Sequence, residues 1–456
     1  MRNSFFHLLR ADSSVARRRV LLAGALLAAS IALPMAPALA RDAGQRASAH
    51  WVGTWGTAPA DAPTGAQRLS FSDQTLRLIV HTSVGGTQVR VRLSNELGTT
   101  PLQIGAVHVA LRKSGAGIVA GTDRALTFSG AGAITLPAGA PVLSDPVDLD
   151  VPAAADLAVS VHLPGQVEAS TVHNSAFQTN YVSAQGDFSG AAEFPVKSTL
   201  TSWPFLTEVD VSSAQSEAAV VAFGDSITDG SNTSADTNRR WPDLLALRTQ
   251  VVAGKPAGKA HGAGIRLAIV NRGIGGNRLL RDPGSWPPFG KAALARFDRD
   301  VLATTGAQYV IVLIGINDIG HPGSNSAAGE PLVTPEQLIA GYRQLIARAH
   351  AKGLAIFGAT LTPFEGTVFP GYYSEEKEAL RAAVNQWIRS GKEFDAVIDF
   401  DRAVRDPSHP IRMLPAFDSG DHLHPNDQGM QAMANAVPLA LFHARAVTQA
   451  RATSHQ

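Results

Sequence analysis

Residues 221–230 read VAFGDSITDG, so that an apolar run from Ala218 to Phe223 feeds straight into Gly224, Asp225 and Ser226. A glycine permits the sharp turn that lifts the next side chain off a strand end, and the carboxyl ends of strands are where open α/β sheets bind ligands. Ser226 is therefore a candidate nucleophile. A serine hydroxyl attacks poorly until a base takes its proton, usually a histidine steadied by a carboxylate. The chain supplies such a pair far downstream, in Asp421-His422-Leu423-His424-Pro425. Asp421 and His424, three apart, can set a carboxylate against an imidazole nitrogen, and Pro425 keeps His424 extended. His422 is an alternative base whose adjacency to Asp421 suits the pairing less well. Acyl transfer further requires donors aimed at an oxyanion. Asn271-Arg272-Gly273-Ile274-Gly275-Gly276-Asn277 offers a glycine amide, and Gly315-Ile316-Asn317-Asp318 offers an amide side chain.

Each of these stretches alone is ordinary turn and helix-cap chemistry; their joint placement by the surrounding elements carries the argument. After Glu217, short apolar strands at 218–223, 265–270, 308–314, 354–359 and 396–400 alternate with helical stretches, the grammar of right-handed crossovers and a parallel sheet. The clearest helix opens at Thr334-Pro335-Glu336 and carries Leu338, Ile339, Tyr342, Leu345, Ile346 and Ala349 at helical spacing. Ser226, Gly276, Asn317 and the Asp421/His424 loop all follow strands, so one sheet edge gathers them. From Trp51 to Val211 the period is two instead. Gln88–Ser94 and Asp156–Leu163 alternate cleanly, with further strands expected at 75–82, 102–111, 125–128 and 206–211. No long helix interrupts them, which predicts a β-sandwich of jelly-roll type. The expected organisation is an accessory β-domain over 50–211, a small polar linker at Ser212–Ser216 and a catalytic α/β domain over 217–446.

The chain has 456 residues, 45% hydrophobic and 17% charged, enough for two cores of their own. Lys+Arg 39 against Asp+Glu 38 leaves no basic excess that would point to nucleic acid or an anionic membrane. Arg17-Arg18-Arg19, the apolar run Val20–Leu33 and Ala38-Leu39-Ala40 have the make-up of a cleaved export signal over 1–40, too short to span a bilayer comfortably. Its paired arginines resemble the twin-arginine signal of bacteria. The expected location is periplasmic or secreted. With Cys 0, disulfides, thiol nucleophiles and thiolate metal ligands are all excluded.

Taken in order, Gly224-Asp225-Ser226-Ile227, Asn271 to Asn277, Gly315-Ile316-Asn317-Asp318 and Asp421 to Pro425 resemble the four blocks of the SGNH hydrolases, the GDSL-type lipase and acylhydrolase superfamily. The resemblance covers the carboxyl-terminal half and implies a flavodoxin-like three-layer α/β/α domain. It carries the nucleophile onto Ser226, the acid onto Asp421, the base onto His424 and the oxyanion donors onto Ser226, Gly276 and Asn317. A one-residue slip would exchange Gly276 for Gly275. The implied chemistry is ester hydrolysis through an acyl-serine, with no metal or organic cofactor. Trp51-Val52-Gly53-Thr54-Trp55 ahead of such a half is similar to a subgroup of exported bacterial esterases, one associated with a xylan-degrading gene cluster. That points to short acyl or aryl esters of small molecules or polysaccharides. The rival readings are a lipid acylhydrolase, an acyltransferase with the same intermediate, and a catalytically silent carbohydrate-binding protein. Arg278, Arg281, Trp286, Phe364, Phe369, Tyr372 and Tyr373 are candidate pocket walls, and His321 a candidate for the entrance. Trp51, Trp55 and Trp203 serve either as a sugar-stacking surface or as core anchors.

Overall fold

The computed structural model describes residues 50–214, 216–253 and 266–442. The export signal expected over 1–40 lies outside the described residues. The described residues form one compact unit.

The amino-terminal part is β-rich, as its period of two demands. Its main strands are β1 (Trp51–Gly56), β2 (Ser70–His81), β3 (Gly86–Ser94), β4 (Ala106–Ser114), β5 (Asp156–Glu168), β6 (Thr171–His173), β7 (Asn180–Gln185) and β8 (Leu206–Ser212). One antiparallel sheet runs β1-β8-β3 and another runs β7-β2-β5-β4. Alternate residues of both sheets, among them Val89, Val91 and Leu93 from β3 and Leu76, Leu78, Val159 and Val161 from β2 and β5, meet in one core. The single strand expected over 102–111 is instead two, Leu102–Ile104 and Ala106–Ser114, broken at Gly105. Gly105 donates to the His162 carbonyl at 3.0 Å, and a Cβ there would lie 2.5 Å from the His162 ring.

The carboxyl-terminal part is a parallel sheet of β9 (Ser216–Gly224), β10 (Arg266–Gly273), β11 (Ala307–Leu313), β12 (Ala355–Ala359) and β13 (Ala396–Ile398), in the order β10-β9-β11-β12-β13. This is the flavodoxin-like arrangement, in which the order reverses beside the first strand and leaves a crevice at the carboxyl ends. Its helices include α1 (Ser226–Asp229), α2 (Trp241–Ala253), α3 (Ile316–Gly320), α4 (Pro335–Ala351), α5 (Glu375–Ser390) and α6 (Asp427–Ala436). α2 packs with α6, and α4 with α5. Thr334 caps α4 by accepting from the Gln337 amide, with Gln337 reaching back, and of the expected stripe Leu338, Tyr342, Leu345, Ile346 and Ala349 are buried while Ile339 is half-buried. The fifth strand is shorter than expected, because Phe400 already opens a helical turn; a two-stranded hairpin at 405–413 follows before the acid–base loop.

The two parts share a core. Ala219, Ala268 and Val270 on β9 and β10 pack among the apolar residues of the β-rich part. Gly56 of β1 allows this approach, since a Cβ there would stand 2.7 Å from Val270. β10 is an edge strand, and its Ile269 amide donates to Ser83 Oγ at 3.0 Å. Beside it Arg272 and Glu208 form a buried ion pair, with Arg272 also donating to the Thr207 carbonyl at 2.9 Å.

Candidate active site

At the end of β9 the backbone leaves no room for a side chain: a Cβ on Gly224 would lie 2.4 Å from the Leu313 carbonyl oxygen. Asp225 then caps α1 by accepting from the Ile227 amide at 3.1 Å, and the turn places Ser226 at the helix's first position. Its own N–H, one of the first four of a helix, has no intrahelical acceptor. Gly230 closes the turn at φ 102°, and the amides of Gly230 and Ser231 both donate to the Ser226 carbonyl at 2.9 Å.

His424 reaches Ser226 from the loop before α6. Its Nε2 stands 2.8 Å from Ser226 Oγ, and its Nδ1 stands 2.6 Å from Asp421 Oδ2. The other Asp421 oxygen accepts from the His424 and Leu423 amides at 2.8 and 2.9 Å. Partial burial pushes this carboxyl up, but His424 and the two amides outweigh it and hold it well below the usual carboxylate range. Asp421 is thus an anion, so His424 Nδ1 carries the proton and Nε2 faces the hydroxyl as an acceptor. His422, the alternative base, turns away: it is exposed and its Nδ1 pairs with Asp418 at 2.5 Å.

Gly276 and Asn317 lie on the opposite wall. Gly276 adopts φ 72°, and a Cβ on it would strike the Phe289 ring at 2.3 Å. The Gly275 amide is already engaged, donating to Asp229 Oδ2 at 3.1 Å. Asn317 is oriented from both ends of its amide: Oδ1 accepts from the Tyr372 hydroxyl at 2.8 Å, and Nδ2 donates to the Asn277 carbonyl at 2.9 Å. A second Nδ2–H remains, on a side chain lining the cleft. Behind it Asp318 accepts from the Leu279 and Leu280 amides at 2.6 and 2.9 Å, and burial pushes its carboxyl up to about 6. Arg296, wholly buried, ties the first two blocks together by donating to the Gly224 and Arg272 carbonyls and to Asn277 Oδ1.

The cleft has a volume of about 330 Å³ and gathers Ser226, Gly276, Asn317 and His424 in one lining. Phe289, Phe369, Pro370, Tyr372 and Leu423 make its apolar side. His321, Ser324, Asn325 and Ser326 make a polar side, joined by Ser175 from the β-rich part. Burial, then the Arg278 charge, lower the His321 imidazole to about 4, and its ring lies between Phe289 and Tyr372.

Of the other expected wall residues, Arg278 and Arg281 are committed to Glu330, and Trp286 lines a small neighbouring pocket with His173. Phe364 is core, with Tyr373 packed edge-on against it. The sugar-stacking alternative for the tryptophans fails. Trp55 and Trp203 are buried edge to face at 5.0 Å, and Trp51 lies under the Arg90 guanidinium. Asn232 and Phe289 are among the contributors that escaped the sequence reasoning. Asn232 donates to Asp421 Oδ2 at 2.8 Å from a left-handed turn, for which Asn in Gly-Ser-Asn was the available signal. Phe289 had no local signal beyond its proximity to Pro287-Pro288.

Residues 220–437 match the sequence model of the GDSL-like lipase/acylhydrolase family. Similar solved structures include a GDSL-like lipase from Bacteroides thetaiotaomicron VPI-5482 (18% identity, 51% of this chain and 93% of that one, TM-score 0.34). Another is a carbohydrate acetylesterase family member from Sinorhizobium meliloti (15% identity, 48% and 94%, TM-score 0.35). No curated protein matches the chain.

Proposed function

We infer that this chain, which belongs through residues 220–437 to the GDSL-like lipase/acylhydrolase family of hydrolases, is an exported serine esterase that acts on short acyl or aryl esters. The observation that carries this reading is the run from Ser226 Oγ through His424 to the anionic Asp421, at 2.8 and 2.6 Å. In the proposed reaction Ser226 Oγ adds to the ester carbonyl carbon as His424 Nε2 takes its proton, and Asp421 stabilises the imidazolium. The oxyanion is held by the Ser226 and Gly276 amides and the remaining Asn317 N–H. His424 gives its proton to the departing alcohol, then takes one from water as the water attacks the acyl-serine; the carboxylic acid leaves and Ser226 is regenerated.

The apolar side of the cleft suits a small acyl group, and its serine- and asparagine-bearing side suits a hydroxylated alcohol such as a sugar. A lipid ester is the second reading, favoured by Val368 and Phe369, exposed together with Phe369 on the cleft wall. The test is hydrolysis of p-nitrophenyl esters from acetate to palmitate by the mature protein and Ser226→Ala. Short-chain activity lost in the variant, with Asn317→Ala slowing turnover by about 10²–10³-fold, is the expected result. Long-chain preference replaces it with the lipid reading, and activity unaffected by Ser226→Ala overturns both.

A further inference from the structure

A buried contact joins the β-rich part to the hydrolytic site. His173, the last residue of β6, is 3% exposed, and its Nε2 stands 2.9 Å from Asp229 Oδ1, itself buried one turn after Ser226. The same ring donates from Nδ1 to the Ala58 carbonyl at 2.9 Å, and the Ser175 carbonyl lies 3.3 Å from Nε2. Both ring nitrogens therefore face only acceptors, an arrangement that suits the imidazolium. Burial pushes this imidazole down, but the Asp229 charge and hydrogen bond and the Ala58 carbonyl outweigh it and raise it above its ordinary value. The other Asp229 oxygen accepts from the Gly275 amide at 3.1 Å.

We propose that His173 is a positioning residue of the hydrolytic site: it fixes the Asp229 carboxylate, which fixes the Gly275 amide and so aims the adjoining Gly276 amide at the oxyanion. The proposal rests on the reading of Gly276 as an oxyanion donor. Its physical basis is the tightness of the chain of contacts. A Cβ on Gly273 would lie 2.2 Å from the Asp229 nitrogen, so the turn from Gly273 to Gly276 is pressed against α1. Among the described residues the Gly275 N–H has no acceptor besides Asp229 Oδ2, so a swing of Asp229 frees it. The cleft residue Ser175, two positions after His173, would shift with the same loop.

Two amide variants separate the two ring contacts of His173. The amide nitrogen of an asparagine takes the place of His Nδ1, so His173→Asn keeps the Ala58 bond and loses Asp229. Glutamine's takes the place of Nε2, so His173→Gln keeps Asp229 and loses Ala58. Both remove the imidazole, and because Asn is one methylene smaller than Gln, the amide exchange at residues 273–277 rather than stability reports the Asp229 contact. With a p-nitrophenyl short-chain ester, His173→Asn should lower kcat about 10–100-fold, part of what a lost oxyanion donor costs, with KM within about threefold. His173→Gln should stay within about threefold in both constants. In the Asn317→Ala background the His173→Asn loss should shrink, because both act on one oxyanion site. Amide hydrogen exchange of residues 273–277 should speed at least tenfold in His173→Asn and not in His173→Gln. Should His173→Asn fail to fold, Asp229→Ala, which deletes the acceptor outright, is read by the same exchange. Equal kcat in the two His173 variants, or unchanged exchange at 273–277, overturns the proposal. Accelerated exchange in a protein with no Ser226-dependent hydrolysis would sink the esterase reading and leave the positioning contact standing.

Discussion

Asp225 stands next to the nucleophile, wholly buried, and burial pushes its carboxyl up to about 7 despite the bond from the Ile227 amide; the nearby Asp318 adds to the rise. Its Oδ2 has no hydrogen-bond partner among the described residues. The unfolded chain ionises this group near the ordinary value of 3.8, whereas the folded protein keeps the proton until about 7. Between those values the native state binds the extra proton, so stability falls as pH rises through the window and the full cost is present above it. A gap of that size corresponds to on the order of 4 kcal/mol. Asp225→Asn keeps an oxygen for Ile227 and cannot ionise. The variant should match wild type within about 1 kcal/mol at pH 4 and exceed it by about 2–4 kcal/mol at pH 8. Urea unfolding of both proteins at pH 4, 6 and 8 is the assay. A difference that stays constant across the three pH values refutes the reasoning, because it would mean the carboxyl is not carried neutral beside Ser226.

Tyr372→Phe removes the donor that orients Asn317, a bond worth about 1 kcal/mol; kcat on a short ester should fall about fivefold to tenfold, and an unchanged kcat would count against Asn317 as an oriented donor. Gly276→Ala should cost at least tenfold in turnover, since its φ is positive and Phe289 occupies the Cβ position. Gly275→Ala, whose nearest atoms are 3.9 Å away, should cost far less, and the reverse order would exchange the roles of the two glycines. His321, lowered to about 4, is neutral throughout the working range. His321→Gln should therefore leave the acid limb of the pH–rate profile where it was, and a displacement of more than about half a pH unit would show that His321 titrates in the reaction.

The parts of the site that were legible in the sequence are those whose geometry is set locally. Gly224 must be glycine where β9 meets the Leu313 carbonyl, and Asp421 and His424 sit three apart on one loop, so spacing alone announces them. The proline-led start of α4 and the stripe along it were legible for the same reason, whereas the capping box at Thr334 was seen only in the structure. Illegible were the contacts made across long sequence separations. Tyr372 was visible as a pocket aromatic but not as the donor to Asn317, 55 residues away. His173 and Asp229 belong to differently patterned halves, and nothing in either stretch points to the other. The tryptophans illustrate the converse: composition left open a sugar surface, and only the shared core between sheets shows where Trp55 and Trp203 are spent.

The capped edge of β10 bears on how the molecule comes apart. A chain severed in the 213–215 junction would bare the Ile269 amide, the Arg272 guanidinium and the small apolar face of Ala219, Ala268 and Val270. An open parallel edge beside such a face is a template for pairing with another copy. Truncation of the β-rich part should accordingly yield insoluble catalytic fragments rather than a free minimal hydrolase. Heating the whole chain should melt both halves in one cooperative transition, with proteases finding no folded catalytic core to release.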